Sequence, residues 1–183
     1  MEEMIRAIAQ CLRSSKIQYV VIGGIAASVW GRPRMTLNVD IVTLIPPEKL
    51  PDFLETLGQS RFQVTSTTKR KLLRMLPAKV RYEKRLSVDL RIASYSLDKQ
   101  ALMRAVPIRL FGTRLPVASR EDTIAYKVAR FEDIDKADIK SIILRWRKKK
   151  LDSQYIVRTC QQLAEETGDK QIYRNLDAVL SWL

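Results

Sequence analysis

The sequence predicts a mixed α/β protein with a helical C-terminal portion, and two observations lead to this prediction. Short β-rich runs alternate with helical segments as far as residue 118, whereas the rest of the chain shows only helical patterns. Of the 183 residues, 46% are hydrophobic, which is enough to supply a core. We therefore expect an α/β core over residues 1–118 and a helical portion over residues 119–183 that packs on it.

The first sixty residues predict three helices and two strands. Residues 2–14 place apolar side chains at helical spacing, with Glu2 and Glu3 in the first turn, where the helix dipole favours acidic groups. The two strands are β-rich runs that glycines or prolines terminate. In order, the predicted elements are a helix at 2–14, a strand at 17–22, a brief helix at 25–30 that Gly31 closes, a strand at 36–44 and a helix at 48–58.

Residues 61–118 predict two or three strands, a short helix and a hairpin. The expected elements are strands at 61–67, 71–76 and 85–92, a helix at 97–104, and a hairpin at 106–118. Pro77 lies between the second and third strands, and Gly112 supplies the hairpin turn.

From residue 119 onward the pattern is helical. Ser119, followed three residues later by Asp122, resembles a helix N-cap. The helices are expected at 120–131, 134–149, 152–166 and 170–182. The cationic run at 145–150 is expected to be a solvated helix end.

The composition excludes several kinds of catalytic site. The chain has no histidine and only two cysteines, Cys11 and Cys160, so it can build neither a Ser-His-Asp nor a Cys-His centre, nor a clustered zinc site. An enzyme with this sequence would have to use carboxylates or a metal on oxygen ligands. The first thirty residues contain no apolar run long enough for a signal peptide or a membrane span, so we expect a cytoplasmic protein without a membrane partner.

The positive charge of the chain is concentrated in one region. The net charge is +13, and residues 61–91 carry ten Lys or Arg against Glu83 and Asp89. Such a surface favours contact with the phosphates of RNA or DNA without reading of the sequence, because aromatic residues suited to base stacking are few there. An acidic protein partner would use the same surface, and both alternatives stay open.

The alternation of side chains along strands brings candidate acidic residues to one face. In the run 36–44, Asn38 and Asp40 project opposite the core residues on either side of Asp40, and Asp89 alternates in the same way on a later strand. The turn at Gly23 and Gly24 leaves free amides at a helix N-terminus, which can approach phosphate oxygens closely. This layout is typical of a metal-dependent phosphoryl-transfer site.

The order of these motifs resembles a known family. The chain shows Gly23-Gly24, then Gly31-Arg32-Pro33-Arg34-Met35-Thr36, then Asn38-Val39-Asp40, then Asp89 on a later strand, and finally Lys127, Arg130, Asp133 and Asp138 on a helical stretch. These motifs resemble those of the DNA polymerase beta-like nucleotidyltransferases, and within them the minimal and abortive-infection (AbiE-type) toxin branches. The resemblance covers about residues 17–143.

The resemblance implies a nucleotidyltransferase fold, in which a small mixed sheet is flanked by helices, and a set of roles for single residues. Asp40, Asp89 and Asn38 would hold one or two Mg²⁺ ions as the catalytic and metal-binding set. Gly23, Gly24, Arg34, Thr36 and Lys127 would bind the nucleoside triphosphate. An acceptor hydroxyl, on a macromolecule such as RNA, would attack the α-phosphorus and release pyrophosphate. An acidic antitoxin-like protein is the partner that this branch implies.

Asn38 departs from the family pattern. It stands where the family has the first aspartate of Asp-x-Asp, so one negative charge for metal binding is absent and weakened Mg²⁺ binding is expected. Three explanations stay open: a naturally degenerate enzyme, a chain altered to trap an inactive state, or a site that recruits another carboxylate. The alternative to an enzyme is a non-catalytic module that binds nucleic acid or a protein through its basic surface.

Overall fold

The computed structural model describes residues 1–83, 85–146 and 151–183. The helices are α1 (Glu2–Ser14), α2 (Gly23–Trp30), α3 (Leu50–Gln59), α4 (Ser66–Leu73), α5 (Ser96–Met103), α6 (Arg120–Arg130), α7 (Asp133–Trp146), α8 (Ser153–Thr167) and α9 (Gln171–Leu180), with a 3-10 turn at Pro47–Lys49. The strands are β1 (Gln18–Ile22), β2 (Asn38–Leu44), β3 (Phe62–Gln63), β4 (Ala78–Tyr82), β5 (Leu86–Ile92), β6 (Val106–Leu110) and β7 (Thr113–Val117). The predicted α/β class is therefore confirmed.

A single mixed sheet contains these seven strands in the order β3-β4-β5-β2-β1-β7-β6. Strand β2 lies in its middle, because it pairs antiparallel with β1 and parallel with β5. Strand β5 in turn pairs antiparallel with β4, and β6 and β7 form the predicted hairpin. The topology thus brings the two strands that carry the candidate acidic residues side by side.

Alternation along these strands separates the core from the candidate site. On one face of the sheet, Val39 and Ile41 of β2 are buried in a large cluster with side chains from α1, α3 and α4. On the other face, Val42 packs in a small cluster with Ala101 and Leu102 of α5. Asn38 and Asp40 project from this second face, as the sequence predicts.

Helices α6 to α9 surround a second apolar cluster, which includes Ile139, Ile142 and Ile143 of α7. Trp30 joins this helical portion to the sheet, because its indole N–H donates to the Ala118 carbonyl at 2.7 Å and its own carbonyl accepts from the Trp146 indole at 2.7 Å. The expected packing of helices on the α/β portion is therefore present, and the domain boundary at residue 118 stays a prediction. No helix within the described ranges is long and apolar enough to cross a membrane.

Two predicted strands between residues 61 and 77 were wrong. The expected strand at 61–67 is only Phe62–Gln63, and of the expected strand at 71–76 the first half belongs to helix α4 and the second half to no helix or strand. Helix α4 forms because the Thr65 hydroxyl caps its N-terminus, accepting from the backbone N–H of Thr68 at 3.1 Å. Strand β4 was not predicted, although its residues alternate between buried and exposed.

Other boundaries shift by a few residues. Helix α2 begins at Gly23 rather than at residue 25, so both glycines belong to its first turn. The N-cap at Ser119 is confirmed, since its hydroxyl accepts from the backbone N–H of Asp122 at 3.1 Å. Helix α7 is described as far as Trp146, and the rest of the predicted helix 134–149, with most of the cationic run 145–150, lies outside the described residues.

Candidate active site

The parallel pairing of β2 with β5 brings the candidate acidic residues together. In this register Asp40 lies opposite Asp89, and Asn38 lies opposite Ser87. Side chains at paired positions of neighbouring strands project from the same face. Asp40, Asp89 and Asn38 all line a cavity of about 620 Å³, a size suited to a small-molecule ligand.

Gly23 makes room for Asp40. Its φ of +64° lies in the left-handed region, which favours glycine. A Cβ at this position would lie 2.0 Å from Oδ2 of Asp40, so a side chain here would displace the carboxylate. The chain therefore needs glycine at residue 23 for two independent reasons, one conformational and one steric.

The environment of Asp40 disfavours its charged form. Burial raises the pKa of this carboxyl, and the nearby charge of Asp89 raises the pKa further. The backbone N–H of Gly24 and the cations Arg130 and Lys127 act in the opposite direction but do not compensate fully. Two carboxylates that repel each other at the floor of a cavity are a typical arrangement for binding a cation.

Asn38 is hydrogen bonded on both sides of its amide. Its Nδ2 donates to Oδ2 of Asp89 at 3.2 Å, and its Oδ1 accepts from the hydroxyl of Ser87 at 2.8 Å. The other oxygen of Asp89, Oδ1, lies 3.8 Å from Nζ of Lys79 on β4. Asp89 is thus flanked by a neutral donor on one oxygen and by a cation near the other.

The predicted phosphate-binding cations belong to a buried ionic cluster. Lys127 is 3% exposed, and its ammonium donates to Asp135 at 2.8 Å and contacts Asp138 at 2.7 Å. Arg34 forms a bidentate pair with Asp138, with its Nε at 3.0 Å and Nη2 at 2.9 Å from the carboxylate. Arg130 pairs with Asp135 at 2.7 Å. The cluster ties the segment after α2 to helices α6 and α7.

The helical motif of the resemblance is assembled with one change. Asp133 is not part of the cluster, because it is exposed and pairs with Lys136. Asp135, which the sequence analysis did not single out, takes part instead and is nearly inaccessible to solvent. Lys127 is buried, whereas the side chain of Arg130 is 58% exposed and that of Asp133 is 99% exposed, so the predicted residues of this motif differ in their access to solvent.

The remaining predicted nucleotide-binding residues lie close together. Gly24 and Thr36 both line the cavity, and a Cβ at Gly24 would lie 3.3 Å from both the Thr36 hydroxyl and Nη2 of Arg34. The Thr36 hydroxyl itself donates to the backbone carbonyl of Asn38 at 3.0 Å. The structure therefore brings the whole predicted site set to one cavity, with the cations Arg34 and Lys127 already paired with carboxylates.

The far wall of the cavity contains a second polar group that the sequence analysis missed. Asp98 is fully buried and accepts from two backbone N–H groups ahead of it and from the hydroxyl of Tyr126 at 2.9 Å. Arg91 pairs with Asp98 and lies over the Tyr126 ring, with its guanidinium carbon 5.2 Å from the ring centre. Burial raises the pKa of Tyr126. The available signal was Arg91, which follows Asp89 by two residues on the same face.

The donor set of this site fits one divalent cation. Two carboxylates in register, repelling each other at the cavity floor, supply the hard oxygen ligands that Mg²⁺ takes. In the part of the chain that the structure describes, no group of three acidic, histidine or cysteine side chains is placed to hold a metal.

The basic region 61–91 is divided between a helix and strands. Of its ten cations, Lys69, Arg70 and Lys71 lie on α4 and Arg74 at its C-terminal cap, so these four do not lie on strands. Lys84 lies outside the described residues. On β4, Lys79 and Arg81 are exposed and lie opposite Asp89 and Ser87, so they project from the face that carries the site.

Several solved structures share this fold. A nucleotidyltransferase-like antigenic protein from Paracoccidioides brasiliensis has a TM-score of 0.54 at 20% identity, over 97% of this chain and 92% of that one. The lincosamide antibiotic adenylyltransferase LnuA, solved with lincomycin bound, has a TM-score of 0.52 at 14% identity, over 76% of this chain and 94% of that one.

A third similar structure is ANT(2")-Ia in complex with adenylyl-2"-tobramycin, with a TM-score of 0.51 at 12% identity, over 98% of this chain and 97% of that one. These likenesses show the nucleotidyltransferase fold that the motifs imply. Among curated proteins, none matches the chain. The family described as "Nucleotidyl transferase of unknown function (DUF2204)" matches residues 1–178, and the chain belongs to this family.

Proposed function

We propose that this protein transfers a nucleotidyl group from a nucleoside triphosphate to an acceptor hydroxyl, with a divalent cation, Mg²⁺, held by Asp40 and Asp89. One observation carries the proposal: the two carboxylates lie in register on β2 and β5, beside the glycine turn that opens α2. Magnesium bound there would offset the charge of the triphosphate and make the α-phosphorus more reactive. No histidine is needed, because positioning and electrostatics supply most of the acceleration in such reactions.

The chain's own groups supply the phosphate site. The backbone amides at the N-terminus of α2, with Gly24 next to Asp40, present N–H groups to anionic oxygens. Arg130 is the cation best placed for phosphate contact, because its side chain is 58% exposed and lines the cavity. Lys127 and Arg34 act mainly through the field of the buried cluster, since their N–H groups already donate to Asp135 and Asp138.

Calorimetric titration of each ribonucleoside triphosphate, with and without Mg²⁺, tests the nucleotide site. We expect metal-dependent binding to the natural chain, and loss of that dependence in Asp40→Asn and Asp89→Asn. Asp52→Asn is the matched control, because Asp52 lies on α3, outside the cavity. If both site variants bind nucleotide as the natural chain does, the site assignment is wrong.

The acceptor is proposed to be a polynucleotide, RNA in the first instance. Residues 66–82, here called the basic segment, carry six exposed cations and no acidic residue. Within the described part of the chain, only Lys79 of these six has an ion-pair partner, and that partner is Asp89. Unpaired cations that lead toward the proposed catalytic carboxylate are suited to hold the phosphates of an acceptor strand.

A pair of double variants tests the basic segment. We expect Lys79→Ser/Arg81→Ser to weaken RNA binding and to reduce the slope of log affinity against log salt by about two, one for each lost phosphate contact. The matched control is Arg109→Ser/Arg114→Ser, which removes two exposed cations at the opposite edge of the sheet. Equal losses in the two double variants would show that net charge, rather than this segment, holds the nucleic acid.

A small hydroxylated molecule is the second acceptor class. It is favoured by the two similar structures that hold lincomycin and adenylyl-2"-tobramycin, and by a cavity whose far wall adds aromatic and apolar side chains. Incubation with radiolabelled triphosphate, first with total RNA and then with aminoglycoside or lincosamide, separates the two classes by where the label appears. Label on the small molecule alone would reject the polynucleotide acceptor.

The runner-up function is a non-catalytic module that binds nucleic acid or an acidic, antitoxin-like protein through the same basic segment. It predicts polyanion binding that falls with salt and survives Asp40→Asn and Asp89→Asn.

The AbiE-type resemblance adds a toxin role to the catalytic proposal. Induced expression of the natural chain should then slow bacterial growth and expression of Asp40→Asn should not. Growth that is unaffected by a chain shown to transfer nucleotide would reject the toxin role.

A further inference from the structure

The structure points to a role for Asn38 that differs from metal ligation. We propose that the site holds a single divalent cation on Asp40 and Asp89, and that Asn38, held by Ser87, is a positioning residue for Asp89. This inference rests on the proposed metal-dependent function, since it concerns the number of cations and how the carboxylates that hold them are placed.

The Asn38 amide has a defined orientation, with its nitrogen toward Asp89. Its nitrogen lies 3.2 Å from Oδ2 of Asp89. An amide turned the other way would place its oxygen against that carboxylate oxygen, two acceptors without a proton between them. The donor end of the amide therefore faces Asp89, and its acceptor end faces the Ser87 hydroxyl at 2.8 Å.

Ser87 holds the Asn38 amide in this orientation. Ser87 is 6% exposed and is the direct register partner of Asn38 in the parallel pair. Turning the amide oxygen toward a cation would take the buried Ser87 hydroxyl away from its acceptor and remove the donor from Asp89. Both the nitrogen and the oxygen of the Asn38 amide are thus hydrogen bonded to neighbouring side chains within the sheet.

The balance of charge also favours a single divalent cation. Asp40 and Asp89 together carry two negative charges, which one divalent cation neutralises, and Lys79 already places an ammonium 3.8 Å from Oδ1 of Asp89. A pair of cations roughly 3.5 to 4 Å apart depends on further carboxylates to offset their repulsion. Among the described residues no third acidic group is placed to hold a metal with these two.

The number of Mn²⁺ ions bound per chain, followed by electron paramagnetic resonance with and without a non-hydrolysable triphosphate analogue, tests the proposal. We expect about one ion for the natural chain in both conditions, and about two for Asn38→Asp with the analogue, because a third carboxylate is restored. About two ions on the natural chain, one of them lost in Asn38→Ala, would make Asn38 a ligand and overturn the proposal.

The effect of Ser87→Ala on Mn²⁺ affinity distinguishes a positioning role of Asn38 from a role as metal ligand. If Ser87 holds a positioning amide, its loss should weaken Mn²⁺ binding about tenfold, as for other groups that orient metal ligands. If the Asn38 amide oxygen were a ligand, removing the Ser87 hydroxyl that donates to this oxygen would leave the Mn²⁺ affinity unchanged or raise it. The control is Ser94→Ala, because Ser94 follows the same strand and its hydroxyl donates to the backbone carbonyl of Ile92 at the end of that strand. Circular dichroism of each variant verifies that the fold is intact.

The same titrations distinguish failure of this inference from failure of the proposed function. Binding of two ions by the natural chain contradicts only the single-cation site. Absence of Mn²⁺ binding in the natural chain and in Asn38→Asp alike contradicts the metal-dependent function itself.

Discussion

Gly23 and Asp40 occupy the same small space at the end of the β1–β2 pair. A Cβ on Gly23 would lie 2.0 Å from Oδ2 of Asp40 and 2.6 Å from the carboxyl carbon. Gly23 also has a positive φ, which lets the first turn of α2 approach Asp40 closely. Asp40 is the carboxylate that we propose as a ligand of the divalent cation. The glycine turn and the acidic strand are therefore one structural unit.

The first prediction concerns Gly23→Ala. Left-handed strain alone costs about 1–2 kcal/mol of unfolding free energy, and displacement of Asp40 should in addition abolish Mn²⁺-dependent nucleotide binding. Gly112→Ala is matched in conformation, with a φ of +71° in the β6–β7 turn, but lies outside the cavity. It should lose similar stability in urea and keep nucleotide binding. Normal calorimetric binding by Gly23→Ala would contradict the steric relationship.

The second prediction concerns the buried ammonium of Lys127. Lys127→Met leaves the buried carboxylates of Asp135 and Asp138 without a shared cation, which should lower the unfolding free energy by about 3–5 kcal/mol. Urea unfolding at pH 7 measures this loss. Lys136→Met is the control: it removes a cation from the exposed pair with Asp133 and should change stability by no more than about 1 kcal/mol.

The third prediction concerns acid stability. Burial raises the pKa of Asp138, but the hydrogen bonds and the positive charges of Arg34 and Lys127 together outweigh it, so the pKa lies below its ordinary value. A lowered folded-state pKa means that the unfolded chain takes up its proton first as pH falls. The stabilisation is therefore complete above the unfolded-state pKa of about 3.9 and is lost as pH falls through the folded-state value.

Asp138→Asn tests this dependence. The variant should be less stable than the natural chain at pH 7, and its unfolding free energy should fall less steeply between about pH 4 and pH 2. Asp133→Asn, on the same helix but 99% exposed, should retain the natural slope. Parallel curves for the natural chain and Asp138→Asn would show that the pair does not control acid stability.

The fourth prediction concerns the start of α6. The Ser119 hydroxyl accepts from the N–H of Asp122 and donates to its carboxylate at 2.7 Å, so Ser119→Ala should cost about 1–2 kcal/mol in urea unfolding. Ser96 offers a contrast, because its buried hydroxyl has no hydrogen-bond partner among the residues that the structure describes. Ser96→Ala should therefore be neutral or slightly stabilising. A smaller loss in Ser119→Ala than in Ser96→Ala would contradict the capping role.

The fold class and the candidate acids could be predicted from the sequence because both depend on local periodicity. Alternation placed Asn38 and Asp40 on the face opposite Val39 and Ile41, and the structure has them there. The failed strand at 71–76 shows where such patterns mislead: the first half of this basic, half-apolar run ends helix α4, which Thr65 caps and which buries Thr68 and Leu72.

The amino-acid sequence by itself determined the residue types of the site: two carboxylates, an amide, a glycine turn and no histidine, which together limit the chemistry. Only the tertiary structure decided how they are used. The β2–β5 register sets Asp40 beside Asp89 and Ser87 beside Asn38, and the packing of α6 on α7 buries Lys127 between Asp135 and Asp138. These partners are distant in sequence, so no local pattern can specify the pairs. The pairs form when the helices and strands pack, because a buried polar or charged group needs a partner.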